Sequence, residues 1–266
     1  MVTFASIRIL TMKRNYIRAL VQALFVLIIS ATVVYGIDLT HYQESQSKLL
    51  LILLTLAGTF LVYRIGFYKK EANQSLSSIY ICVTLLTCIQ GITMPYLRKE
   101  VVGLTDDIAL LGAAWMLAVT TFILFFCYIH LPKNMKLSFR ELYMSIVLGI
   151  IFWMNGVLVI NLIGAYLLTN ANAYLGMGFL LTIPITLESI LIIKRIIQLP
   201  FRKLYLPLMV MTGTATFFDS TFLLFAHDLY HSKSLIAFHG ACLILWGAGM
   251  GYVILYTLDK RTTNAI

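Results

Sequence analysis

The sequence predicts an all-α fold, a polytopic integral membrane bundle of eight transmembrane helices with both termini on the cytoplasmic side. Three observations carry that prediction. Hydrophobic residues make up 60% of the 266 positions and charged residues 12%, and the mean hydropathy is +0.89, whereas soluble domains run to roughly 45–50% apolar and about 25% charged. Eight stretches approach the about 20 mostly apolar residues that a helix needs to cross roughly 30 Å of hydrocarbon. The basic residues between those stretches also fall almost entirely on one side, as they do in cytoplasmic loops.

Residues 1–18 read as a basic cytoplasmic arm carrying Arg8, Lys13, Arg14 and Arg18, with Phe4, Ile7, Ile9 and Leu10 suited to lie along the acyl chains of the inner leaflet. The transmembrane domain spans 19–258. Its first stretch, Ala19–Ile37, is longer than the 7–15-residue apolar core of a signal peptide and is expected to stay as the first span. Leu49–Phe67, Ser77–Tyr96 and Ile108–His130 follow, then Tyr143–Leu168, Ala173–Ile197, Leu204–His227 and Ser234–Leu258. Residues 259–266 are left as a short cytoplasmic tail.

With eight spans, the clusters Arg64/Lys69/Lys70, Lys133/Lys136/Arg140, Lys194/Arg195/Arg202/Lys203 and Lys260/Arg261 join the N-terminal arm on one side. Of 20 Lys and Arg, only Lys48, Arg98, Lys99 and Lys233 fall opposite. Seven or nine spans would scramble this segregation, and a plasma (inner) membrane fits it. The net charge of +9 then reflects orientation and attraction to anionic headgroups, and implies membrane lipids as partners and no nucleic acid.

The loops are short and no soluble domain interrupts the spans, so any chemistry belongs inside the bundle or at its rims. A receptor of this form would signal through other membrane subunits. Cys82, Cys88, Cys127 and Cys242 lie inside spans and form no CxxC pair, so they predict neither a disulfide framework nor a zinc motif. The two halves of the chain share no residue-level repeat. Small residues that let helices approach in lipid form a stripe at Ser145, Gly149, Gly156 and Gly164, and another at Gly240, Gly247 and Gly251. These two helices are expected to be the most closely packed.

Ionisable groups within spans are expensive, about 2.5–3.5 kcal/mol at the helix centre on insertion scales, and so mark candidate sites. Asp219 is one, with Thr212 and Thr216 seven and three residues before it on the same helical face and His227 eight residues after it, about 80° around. Glu188 is the other. Arg195 lies seven residues on and is expected to reach back to it, and Pro184 frees the carbonyl of Leu180. Asn155 is read as sharing the glycine-rich face and bonding across a helix contact, while Asn161 points elsewhere, so that one of the two lines a cavity but not both. The ligand or proton site is therefore assigned to Asp219, Glu188, Thr216 and Asn155, with no catalytic residue assigned.

His227, His231 and His239 gather where the last two spans meet. Imidazoles so placed suit a divalent metal, with Asp228 or His231 as a third ligand, or a haem held between His227 and His239. The cofactor is otherwise unknown.

The run Gly213–Thr214–Ala215–Thr216–Phe217–Phe218–Asp219–Ser220, late in an eight-span chain, resembles the second acidic motif of integral-membrane lysoplasmalogenase-type hydrolases. The likeness implies a membrane-embedded lipid hydrolase using Asp219. It is confined to this stretch, and Asp106–Asp107 lack the glycine of that family's earlier Gly-Asp motif. The leading expectation is a non-enzymatic protein, a transporter or sensor subunit, that binds or moves a small ligand, ion or lipid through an outward-facing polar cavity near Asp219. A haem- or metal-bearing redox subunit and a lipid hydrolase are the alternatives.

Overall fold

The structure is a computed structural model that describes residues 106–129, 131, 133, 136–169 and 172–264. The predicted arm 1–18 and the spans Ala19–Ile37, Leu49–Phe67 and Ser77–Tyr96 lie outside the described residues. Within the described residues the chain is all-helical. Five helices follow in order: α1 (Asp106–Ile129), α2 (Phe139–Leu167), α3 (Asn172–Ile197), α4 (Tyr205–Phe225) and α5 (Ser234–Asn264). Single 3₁₀ turns at Phe201–Lys203 and His227–Leu229 join α3 to α4 and α4 to α5. Helices α2 to α5 are each long and apolar enough to cross a membrane, and α1 has an uninterrupted apolar stretch at Ala109–Phe125.

The predicted spans locate these helices to within a few residues, and the differences have local causes. Helix α2 starts four residues before the predicted Tyr143 because Ser138-x-x-Glu141 is a capping box. The Ser138 hydroxyl oxygen accepts from the Glu141 amide, and Glu141 accepts from the Ser138 amide at 2.8 Å, which satisfies two otherwise unpaired N–H groups. Helix α5 overruns the predicted Leu258 by six residues, since Asp259-Lys260-Arg261-Thr262 contains neither Gly nor Pro to stop it. Helix α4 ends at Phe225, short of His227, so the polar stripe does not continue along one helix through that histidine.

Helix α3 is followed by Gln198, whose φ of 59° is left-handed and whose N–H reaches the Lys194 carbonyl at 2.9 Å. A residue with a Cβ pays about 1–2 kcal/mol in that conformation. Gln198→Gly is therefore expected to stabilise the fold by about 0.5–1 kcal/mol, net of glycine's greater freedom when unfolded. A rise in the thermal midpoint in detergent checks this.

Helix α4 forms the centre, packed most extensively against α1 and α2, while α5 packs against α1 and α3. The two glycine-striped helices, α2 and α5, which were expected to be the most closely packed, share a less extensive contact than these. Two of the three tightest approaches in these stripes do run between them, Gly164 of α2 against Ile236 of α5 and Gly240 of α5 against Ile160 of α2, and the third runs to α4. A Cβ at Gly149 would lie 2.8 Å from the Met211 carbonyl of α4, whereas one at Gly240 of α5 would lie 2.7 Å from Ile160 of α2. A Cβ at Gly156 would meet nothing within 4 Å among the described residues, so among them the α2 stripe is used at its ends and not in its middle. The outer faces of α2 and α3 expose apolar side chains such as Leu158, Leu162, Leu180 and Ile185. Lipid solvates such faces as readily as leucine does.

Candidate functional site

Asp219 lies six residues before the end of α4, about 9 Å of helix rise, and is 2% exposed. The face it occupies turns inward. Thr212 and Thr216 are also buried, and the Thr216 hydroxyl stands 2.7 Å from that of Thr121 on α1. Each hydroxyl also sits within 3.0 Å of a carbonyl of its own helix, Thr216 with Thr212 and Thr121 with Leu117. Two protons cannot serve three such contacts, so one threonine gives its proton to the other and ties α1 to α4.

The carboxyl is met from the link between α4 and α5. The turn His227–Leu229 folds the chain back, with the Tyr230 amide donating to the His227 carbonyl at 2.9 Å, and drops the fully buried Tyr230 ring into the bundle. Its hydroxyl donates to Asp219 Oδ1 at 2.6 Å. The Tyr230 hydroxyl oxygen in turn accepts the indole N–H of Trp153 of α2 at 2.9 Å. Trp153 is fixed in turn by stacking on Phe218 and Phe222 of α4, with ring centroids at 4.9 and 5.0 Å. A chain Trp153–Tyr230–Asp219 thus joins α2, the link and α4. Burial, and after it the charge and hydrogen bonding of Asp219, push the Tyr230 hydroxyl far above the usual tyrosine range, while the Trp153 N–H offsets part of the rise. Tyr230 therefore remains a neutral O–H donor. Asp219 Oδ2 receives no hydrogen bond among the described residues.

This places two of the four predicted ligand-site residues, Asp219 and Thr216, together on one buried face. It does not bring Glu188 or Asn155 to them. Glu188 is exposed on α3, and so is Arg195; among the described residues the expected pair between them does not form, because their common face is turned outward from the bundle. Asn155 is also exposed, and its amide N–H turns back onto the Ile151 carbonyl at 2.9 Å instead of crossing to another helix. The reason is angular. Six residues beyond Gly149 is 600°, or 120° away from the buried glycine face. Asn161 donates to the Leu229 carbonyl of the link at 3.2 Å. Contrary to expectation, Asn155 and Asn161 border the same groove, which is wider than a single helical face.

Among the described residues the three predicted metal ligands keep to different surroundings. Among the described residues no group of three His, Cys, Asp or Glu is disposed to hold an ion. His239 is buried in α5 with Nδ1 at 2.7 Å from the Leu168 carbonyl. His227 lies 3.5 Å from Asp228, and His231 accepts the Lys233 amide through Nδ1. Each ring is engaged locally, and His239 faces the α2–α3 connection while the others stay on the link.

Sequence reasoning missed Tyr230 and Trp153. The available signal for Tyr230 was a phenol in a short link that follows an acid less than two helical turns from the end of its span. For Trp153, 66 positions from Asp219, no local signal existed. Nor does likeness to known proteins supply a role: no protein-family model, no curated protein and no solved structure matches the chain.

Proposed function

We propose that this chain is an eight-span protein of a plasma (inner) membrane, with both termini cytoplasmic, that binds or moves a small ligand or ion at Asp219 as a transporter or sensor subunit. The one-sided distribution of basic residues supports the orientation, and puts the α4–α5 link on the outward face. The single observation that carries the function is the state of Asp219. An acid buried in an apolar bundle is kept at a free-energy cost, yet among the described residues this one is held by a single O–H donor, on Oδ1. A purely structural acid would be expected to have both oxygens satisfied. Tyr230 comes from the link and not from a span, so a movement of that link uncovers the carboxyl to the outward side without unpacking a helix.

The test is thermal unfolding of detergent-purified protein across a panel of monovalent and divalent cations and small amines, wild type beside Asp219→Asn. Asparagine keeps an acceptor for Tyr230, so the fold is expected to survive. A ligand of the site stabilises the wild type by roughly 2.7 kcal/mol at one hundred times its dissociation constant, and that shift disappears in the variant. Responses that are identical in the two proteins across the panel overturn the assignment to Asp219.

A further inference from the structure

On the outer side of Trp153 lies a groove of about 580 Å³, bordered by Ile151, Met154, Asn155, Leu158 and Asn161 of α2 and by Leu229 of the link. We propose that this groove is a binding site for one ester-linked phospholipid, with an acyl chain along Met154 and Leu158 and an ester carbonyl at Asn161. Three features argue for this occupant. The volume lies within the roughly 300–1,000 Å³ typical of small-molecule sites and is too small for a transmembrane helix of about 10 Å diameter. The lining is apolar except for two carboxamides, and each has spent one N–H on a backbone carbonyl, Ile151 for Asn155 and Leu229 for Asn161. Each keeps its second N–H and its oxygen unengaged among the described residues, and a lipid ester carbonyl is an acceptor for such an N–H.

Depth gives the third argument. Helix α2 has 29 residues, about 43 Å at 1.5 Å per residue, so it overhangs a hydrocarbon layer of roughly 30 Å by about 6 Å at each end. Asn161, six residues or about 9 Å from the helix end, then sits just inside the hydrocarbon edge, where glycerol esters lie. Trp153, which donates to Tyr230, also lines the groove, so occupancy bears on the chain that ends at Asp219. The site itself rests on α2 and Leu229, and stands or falls separately from the Asp219 reading.

The experiment uses the full chain in vesicles of phosphatidylcholine and phosphatidylglycerol, doped with phosphatidylcholine carrying a diazirine in its acyl chain. Cross-linked residues are mapped by peptide mass spectrometry, with the exposed α3 face at Leu180 and Ile185 reporting bulk lipid. Labelling at Met154 and Leu158 is expected to exceed that reference about tenfold, the ratio that about 1.4 kcal/mol represents. It is expected to fall to the reference level with the ether-linked analogue, which has no ester carbonyl, and in Asn155→Leu/Asn161→Leu. Labelling of wild type equal to the α3 reference, enrichment indifferent to both the ether linkage and the double substitution, or chain-to-chain cross-links in place of lipid adducts at the groove would each overturn the proposal. The wild-type comparison needs no variant to fold.

Discussion

Replacing Tyr230 with alanine is expected to destabilise the fold by about 3–5 kcal/mol, the range for removing a large buried aromatic ring. The ring is fully buried, and its loss also strips Asp219 of its O–H donor and Trp153 of its acceptor. Tyr230→Phe separates these contributions. It preserves the ring and its volume but leaves the Asp219 carboxyl unpaired among the described residues, which predicts a smaller loss of about 1–3 kcal/mol. Denaturation in mixed micelles reads both variants. Equal losses would mean that the hydrogen bond carries everything, and an unperturbed Phe variant would mean that Asp219 does not need its donor.

The second large effect lies at the α2–α4 crossing. Gly149→Val puts a branched side chain where even a Cβ would lie 2.8 Å from the Met211 carbonyl oxygen and from Thr214 Cβ, and 3.2 Å from Met211 Cα. Two of these atoms are backbone, so no rotamer change relieves the clash and the helices must separate. A loss at the upper end of the about 1–3 kcal/mol typical of overpacking is expected. Gly156→Ala, seven residues along the same stripe, where a Cβ would meet nothing within 4 Å among the described residues, is expected to gain about 0.5–1 kcal/mol from the greater helix stability of alanine. If both substitutions behave alike, packing at Gly149 is not what holds α2 to α4.

These contrasts show which features the sequence makes legible. Helices α2 to α5 were placed closely because hydropathy over about 20 residues reports a requirement of the solvent, which acts on every residue of a span in the same way. Asp219 was legible for the same reason, since any acid in such a window is conspicuous. What it touches was not legible. Tyr230 reaches it through a 3₁₀ turn in the link, and Trp153 through the α2–α4 crossing, so both depend on tertiary geometry that periodicity does not encode. Glu188 and Arg195 show the converse error. Their spacing of seven does put them on one face, but spacing does not say that the face is turned outward, where both are exposed. At Ser138 and Glu141 the signal was present in plain form, and reading hydropathy alone passed over it.

Asp219 serves a ligand only if its carboxyl can be reached and is not a sealed structural acid, and reaction with a membrane-permeant hydrophobic carbodiimide tests this directly. Glu188, exposed on α3, supplies the reference carboxyl within the same molecule. Mapping adducts by mass spectrometry over time is expected to show fast modification of Glu188, slower modification of Asp219, and acceleration at Asp219 alone in Tyr230→Phe. Modification of Glu188 with none at Asp219, in wild type and in Tyr230→Phe alike, would contradict the account and leave Asp219 as a closed strut between α4 and its link.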